Sequence, residues 1–336
     1  MRVRHFTIPV FIPEEACPNR CVFCNQHRIA GAECAPSVDE VIAKINEHLL
    51  TIPDGHEVEI GFFGGNFTGI PVEEQKAYLD SVQPYFESGR ITGIRISTRP
   101  DYISREILLM LKLYHVTTIE LGAQSLDEEV LKLAGRGHSA LQVHDAAKMI
   151  KELGFNLGLQ MMIGLPGDTA EKSIYTAQEI IRLGAECTRI YPTLVIKDTE
   201  LEQLFLDGKY QPLSQEEAIS RVADIVPLFI TAEVKILRIS LHPSEGLLDN
   251  TSLVAGPFHV AFGELVFSEI WRRILSSMVF ENGKRNLLTL TIPNGMRNAA
   301  IGHKAINKAM LLESFRKVVF EESAELKGFE YHANTA

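Results

Sequence analysis

Cys17, Cys21 and Cys24 stand within the stretch EEACPNRCVFCNQ (14–26), and the rest of the chain holds only Cys34 and Cys187. Five thiols cannot all pair, and nothing in the sequence implies an oxidising compartment, so a disulfide framework is a poor account. Pro18, Asn19 and Arg20 make the segment read as a loop wrapped around something. A structural zinc ion wants four ligands, commonly in paired C-x2-4-C halves. No second half is present, although Cys34 or a histidine could complete a set. An iron–sulfur cube held by three thiolates leaves one iron open to another molecule, and C-x3-C-x2-C supplies three. The bland account, free thiols buried near a strand end, leaves their clustering unexplained.

The elements that would position these cysteines follow from periodicity. Apolar strand-like runs occur at FTIPVFI (6–12), EVEIGFF (57–63), TGIRIST (92–98), TTIELGA (117–123), FNLGLQMMI (155–163) and CTRIYPTLV (187–195). Helical patterns lie between them, several opened by a capping residue or proline (Ser37, Pro71) and closed by glycine (Gly154). Strand–helix alternation argues for a parallel sheet with right-handed crossovers. Six units suggest an α/β fold, a partial (β/α)6 TIM-like barrel, with a smaller C-terminal α/β extension. The expected division is a barrel over 1–210 and an extension over 211–336 that covers it. Chemistry in such barrels sits at the C-terminal ends of the strands, which is where the cysteine loop falls after the first one.

The cysteine spacing is the signature of the radical S-adenosylmethionine (SAM) enzymes, and this chain resembles them. The resemblance implies that Cys17, Cys21 and Cys24 bind three irons of a [4Fe–4S] cluster whose fourth iron chelates SAM. One-electron reduction then splits the sulfonium into methionine and a 5′-deoxyadenosyl radical. Phe23 matches an aromatic position that contacts the adenine, its alternative role being packing under the loop. Gly64, Gly65 and Asn66, in GFFGGNFTGIP, match a Gly-Gly-Glu-like segment that binds the methionine amine through backbone carbonyls, with Asn replacing the acid. Adjacent glycines also suit an ordinary tight turn. Ser97, Thr98 and Arg99 are placed to hold the methionine carboxylate. Alternatively, Arg-Pro-Asp simply opens a helix.

Glu120 and Gln124 fall at the end of the fourth strand. Glu120 suits the cofactor ribose, or else bonds a neighbouring arginine, since buried acids are rarely left unpaired. Arg136, taken with Gln124 as a further candidate cofactor contact, and His138 follow on a loop. Gly164, Leu165 and Pro166 match a fifth-strand segment that packs on the adenine, with Asp168 or Thr169 as the next helix cap. Arg189 and Tyr191 are candidates for substrate contact, Tyr191 equally for the core. No residue is singled out as a catalytic acid or base.

Taken together, IPVFIPEEACPNRCVFCNQ, GGNFTGIP, ISTRPDYI, ELGAQSLDEEVLKLAGRGH and RIYPTLVIKDTELE are similar to the branch that contains the Elongator catalytic subunit. That branch implies modification of wobble uridine in tRNA. Only about 90 residues follow position 245, against the ~150 of a typical domain, so the acetyl-coenzyme A step of that subunit is not expected. Cys34 and Cys187 are too few for a second cluster. Asn25 and Gln26 stand where oxygen-independent coproporphyrinogen oxidases usually carry a further cysteine. Action on a small metabolite such as a tetrapyrrole, and a zinc-binding RNA module without catalysis, are the alternatives. The chemistry implies an electron donor such as flavodoxin or ferredoxin.

Beyond residue 210, Ser214 caps an amphipathic helix with Glu216 or Glu217 in its first turn, and KILRISLHPSEG reads as a further strand and loop. His242 there faces the barrel mouth or caps a turn. Phe258, His259 and Phe262 form an aromatic-rich segment that could stack a base or plug the barrel. The chain is acidic, at net charge −10, which argues against nucleic-acid binding by the whole surface. Yet residues 281–317 carry Lys284, Arg285, Arg297, Lys304, Lys308, Arg316 and Lys317 against Glu281 and Glu313. Such a segment can neutralise phosphates of a tRNA substrate, or be a solvated face. No apolar run reaches the roughly 20 residues of a membrane span. No secretory signal is read in MRVRHFTIPVFIPEE, so a cytoplasmic protein is expected.

Overall fold

The computed structural model describes residues 4–13, 17, 21–25, 28, 34–280 and 284–336. Pro18, Asn19, Arg20, Gln26 and Glu281 lie outside these. The first half alternates β1 (His5–Ile12), α1 (Val38–Thr51), β2 (Glu57–Gly64), α2 (Val72–Glu87), β3 (Gly93–Thr98), α3 (Arg105–Leu113) and β4 (Val116–Gln124). It continues through α4 (Glu128–Leu133), α5 (Ala140–Glu152), β5 (Asn156–Ile163), α6 (Ala170–Arg182) and β6 (Cys187–Pro192). Local chemistry sets several helix starts. Ser37 with Glu40 and Ser139 with Gln142 form capping boxes at α1 and α5, satisfying N–H groups that the first turn leaves unpaired. Thr169, rather than Asp168, caps α6.

The strands pair in chain order, each parallel to the next, and curl into a half-barrel. The expected partial barrel is thus observed, with a difference in strand number. After β7 (Val195–Ile196), α7 (Glu200–Leu206) and α8 (Gln215–Thr231), β8 (Lys235–Ile239) adds a seventh strand parallel to β6. The 187–195 run ends as a sheet strand at Pro192, because Thr193 bonds back to the Ile163 carbonyl through N (2.9 Å) and Oγ1 (2.8 Å).

Side chains alternate along each strand. Ile8, Val10 and Ile12 (β1), Val58, Ile60 and Phe62 (β2), Ile94 and Ile96 (β3), Ile119 and Leu121 (β4), and Leu157, Leu159 and Ile163 (β5) join one core with the helices. The intervening residues face the barrel interior, and many are polar: Glu59, Arg95, Ser97, Glu120, Gln124, Gln160 and Arg189.

The remainder comprises α9 (Glu245–Leu248), β9 (Leu253–Ala255), α10 (Phe262–Ser276), β10 (Arg285–Pro293), α11 (Arg297–Ile301), α12 (Ile306–Leu311), β11 (Phe315–Ser323) and β12 (His332–Thr335). β9 pairs antiparallel with β7, and β10 is the centre of a three-stranded sheet with its own core around Trp271, Leu290 and Phe315. The aromatic segment is a plug rather than a free stacking platform. Phe262 is buried in the main core, and Phe258 packs on the Leu194, Ile196 and Leu247 cluster.

The barrel interior tolerates little extra volume at Gly158 on β5. A Cβ there would lie 2.7 Å from Glu120 Cγ and 3.0 Å from Cys187 Sγ. Gly158→Ala should therefore destabilise the fold by about 1–3 kcal/mol. Urea denaturation gives that number, and an unchanged midpoint would show that the interior has room to yield.

Candidate functional site

A cavity of about 710 Å³ opens at the C-terminal ends of the strands, a size suited to small-molecule and cofactor sites. Cys17, Cys21 and Cys24 all line it, together with Phe23, Gly64, Gly65, Ser97, Thr98, Arg99, Gly122, Gln124 and Arg136. Residues as far apart in sequence as Cys17 and Arg136 are thus gathered by the loops after β1, β2, β3 and β4. Cys21 is buried, and Cys17 and Cys24 are half-buried. The Cys24 N–H closes a turn onto the Cys21 carbonyl (3.0 Å). The loop is pinned on both sides by Val22 N–H to the Ala134 carbonyl (3.1 Å) and Leu201 N–H to the Val22 carbonyl (2.7 Å). Arg136 donates from Nη1 to Cys21 Sγ (3.1 Å) and from Nη2 to the Gly122 carbonyl (2.6 Å).

Among the described residues no three His, Cys, Asp or Glu side chains converge as ligands of a single ion. Thiolates given to separate irons of a cluster need not converge in that way. Several buried polar atoms on the same cavity-lining residues also lack partners, namely Arg99 Nη1, Gln124 Oε1 and Arg136 Nε. Buried polar groups are ordinarily satisfied, so these mark places for a polar ligand. Gln124 also adopts φ 65°, a left-handed backbone uncommon outside glycine. At Gly64 φ is 129°, and a Cβ would meet the Ile12 carbonyl oxygen at 1.8 Å, so only glycine fits. Three thiols, a close-approach glycine and orphaned donors around one cavity fit a cluster with a polar cofactor on it.

Other expected site residues are wholly or partly spent on the scaffold. Asn66 is buried and does not line the cavity; its Oδ1 accepts from Thr98 Oγ1 (2.7 Å) and from Arg99 N–H (3.2 Å). It ties the turn after β2 to the end of β3. Arg99 lies 2% exposed, held by Asp101 through Nε (3.0 Å) and Nη2 (2.9 Å). Gly164, Leu165 and Pro166 do not reach the cavity. The Gly164 N–H binds Asp168 Oδ2 (2.7 Å), its carbonyl accepts from the Tyr210 hydroxyl (2.7 Å), and Leu165 is buried behind Phe23 and Met162. Met162 lines the cavity in their place.

Glu120, expected either at the ribose or on an arginine, is on two arginines. Its carboxylate accepts from Arg189 Nε (2.6 Å) and Nη2 (3.1 Å), from Arg95 Nη1 (3.0 Å) and from Gln160 Nε2 (3.2 Å). Arg95 also binds Glu59 (3.1 Å), which His5 meets from β1 (2.9 Å). Burial by itself would raise the Glu120 carboxyl, but Arg189 and then Arg95 hold it below the ordinary carboxylate range. Cys187, beside this network, is pushed up by burial and by the Glu120 charge. Individual sequence positions gave no sign of Phe63, Gln160, Met162 or Arg238, which all line the cavity. The inward alternation of the strands was the available signal.

Residues 11–180 match the radical SAM superfamily and residues 185–272 its C-terminal domain. The chain belongs to the radical SAM superfamily. It is 30% identical over 233 residues to the uncharacterized protein MJ0486 of Methanocaldococcus jannaschii, covering 66% of this chain and 71% of that one. It is 28% identical over 257 residues to the tRNA uridine(34) acetyltransferase of Dehalococcoides mccartyi, covering 66% of this chain and 56% of that enzyme. Human Elongator complex protein 3 is 30% identical over 192 residues, 51% of this chain and 35% of that protein. The fold superposes on an N-terminally truncated Methanocaldococcus infernus Elp3 with a TM-score of 0.62 and 26% identity, over 81% of this chain and 64% of the other. The similarity to Elongator-type proteins is therefore observed, while the chain spans about half or less of the named tRNA-modifying relatives. No described helix is long and apolar enough to cross a membrane.

Two outcomes follow from this electrostatic arrangement. Glu120→Gln leaves Arg189 buried without its carboxylate, and should cost about 3–5 kcal/mol in chemical denaturation; a loss below 1 kcal/mol would mean the network relaxes freely. His138 is held down to about 3, first by burial and then by the Arg136 charge. Because the unfolded ring takes up its proton at about 6.5, stability from this residue is complete above that pH and falls as pH drops toward 3. His138→Gln should flatten the stability profile between those limits; an unaltered slope would show that the folded ring does protonate.

Proposed function

We propose that this chain is a radical SAM enzyme that reductively cleaves S-adenosylmethionine and modifies a nucleoside in tRNA. The observation that carries the first part is the convergence of Cys17, Cys21 and Cys24 on one cavity with orphaned polar groups. The three cysteines would hold a [4Fe–4S] cluster, which when bound supplies the electron that splits the SAM sulfonium to give a 5′-deoxyadenosyl radical. An external donor such as flavodoxin or ferredoxin would supply that electron. Arg136 sets a cation beside one ligand sulfur, and hydrogen bonds to such sulfurs tune cluster potential. Gly64 and Gly65 offer backbone to the methionine end, and Ser97, Thr98 and Arg99 offer donors, with Arg99 fixed by Asp101. Phe23 and Met162 supply apolar surface, and Gln124 a free amide oxygen. Asn66, Glu120, Gly164, Leu165 and Pro166 act one layer further out, holding these groups in place.

The tRNA assignment rests on the named relatives and on the basic 284–317 segment, where Lys284, Arg285, Arg297, Lys304, Arg316 and Lys317 are exposed. We read residues 1–210 as the radical domain and 211–336 as an extension that closes it and offers this surface, in the cytoplasm.

Anaerobic reconstitution with iron and sulfide, followed by reduction with SAM, tests the reading. Wild type should release 5′-deoxyadenosine, and Cys24→Ala should release at least about 100-fold less, as expected when a chemical step loses its essential group. Uptake of zinc alone, with no cluster, would sink the proposal.

A further inference from the structure

Charge around the cavity is one-sided. Among the described residues no Asp or Glu lines it, whereas Lys44, Arg99, Arg136, Arg189 and Arg238 do. Three of these cations are answered locally. Arg99 pairs with Asp101, Arg189 pairs with Glu120, and Arg136 faces Cys21. Lys44 reaches in from α1 on a long flexible stem. Arg238 is different, because β8 fixes it at the opposite sheet edge from the cysteine strand, and it makes no ion pair with any described residue.

Its contact is with His242, at 3.3 Å between Nη1 and Nδ1. A guanidinium only donates, so Nδ1 must be the acceptor and the neutral ring carries its proton on Nε2. The pair therefore presents donors and no acceptor. Ser244, two residues on and lining the same cavity, has a buried hydroxyl oxygen with no hydrogen-bond partner. A cation without a counter-charge, an imidazole N–H and an orphaned hydroxyl on one wall form a receptor for an oxyanion.

Resting on the radical SAM reading of the cavity, we propose that Arg238, His242 and Ser244 bind a phosphate or carboxylate oxyanion of the substrate, at the end of the cavity away from the cofactor groups. The site acts by positioning: it fixes the substrate's charged group and so sets which part of the molecule faces the cysteines. A neutral substrate would leave Arg238 uncompensated.

The test titrates inorganic phosphate, and separately acetate, into reconstituted protein saturated with SAM, by calorimetry. With SAM on the Arg99 side, the heat that differs between wild type and Arg238→Gln reports the other end. Arg238→Gln should weaken the preferred anion about tenfold or more, as expected for loss of a charge-assisted hydrogen bond. Arg238→Lys should retain part of the affinity, and Lys148→Gln on the exposed face of α5 should leave it unchanged. Preference for phosphate would indicate a nucleotide substrate, and preference for acetate a small carboxylate; either supports the subsite. Equal binding by wild type and Arg238→Gln, or no binding of either anion by wild type, overturns it. Cluster absorbance and SAM affinity are read on the same samples. If those are intact while the anion titrations match, the subsite alone is wrong. If no cluster assembles, the radical reading is wrong, and titration of that same protein still decides the subsite.

Discussion

A chain of buried charges across the barrel interior is the constraint on which the rest depends. Glu59, Arg95, Glu120 and Arg189 come from β2, β3, β4 and β6; Arg95 bridges Glu59 and Glu120, and Glu120 is shared between Arg95 and Arg189. The two acids and two arginines cancel, which is what permits them to be buried at all. Reaching one another across the curl requires the sheet to bend, and it requires space. Gly158 gives Glu120 that space, and the Arg189 guanidinium lies 5.1 Å from the Phe63 ring centroid. Because this network neutralises itself, it contributes little net charge to the cavity above. The field there comes from the cations nearer the mouth.

The cysteine loop illustrates a second dependence. Its sequence supplies thiols, but its position is set by groups far away in the chain. Ala134, at the end of α4, receives the Val22 N–H, and Leu201 in α7 donates to the Val22 carbonyl. Asn25 Nδ2 reaches the Lys197 carbonyl (3.3 Å), and Arg28 pairs with Asp198. The position of the loop thus depends on both flanks of the half-barrel. Arg136 is part of the same arrangement, since its carbonyl accepts from Arg99 while its guanidinium serves Cys21. One residue links the β3 turn to the thiols.

The segment after residue 210 plays two roles in this arrangement. Its first strand, β8, completes the sheet, so the cavity wall and the barrel edge are the same element. Beyond α10, the small sheet has its own apolar core, leaving the lysines and arginines of 284–317 on the outside. The cavity cations and the surface cations are therefore separate features. One set lies within reach of a small ligand, while the other is spread over a surface of macromolecular scale.

Much of this was legible in the sequence. The spacing of Cys17, Cys21 and Cys24, the strand runs and the capping serines are local properties, fixed by covalent order, side-chain alternation and short-range hydrogen bonds. Gly64 is different, because its close approach is to the Ile12 carbonyl and comes from the pairing of β2 with β1. What the tertiary structure decided is how polar groups pair through space. Whether Glu120 meets a ligand or an arginine depends on which side chains β3 and β6 bring beside it. That Asn66 is spent on Thr98, and Gly164 on Asp168 and Tyr210, depends on how the loops pack. That Arg238 shares a cavity with the cysteines depends on a seventh strand joining the sheet. A charged side chain declares its sign in the sequence, but its partner is set by the register and curvature of strands far apart in the chain.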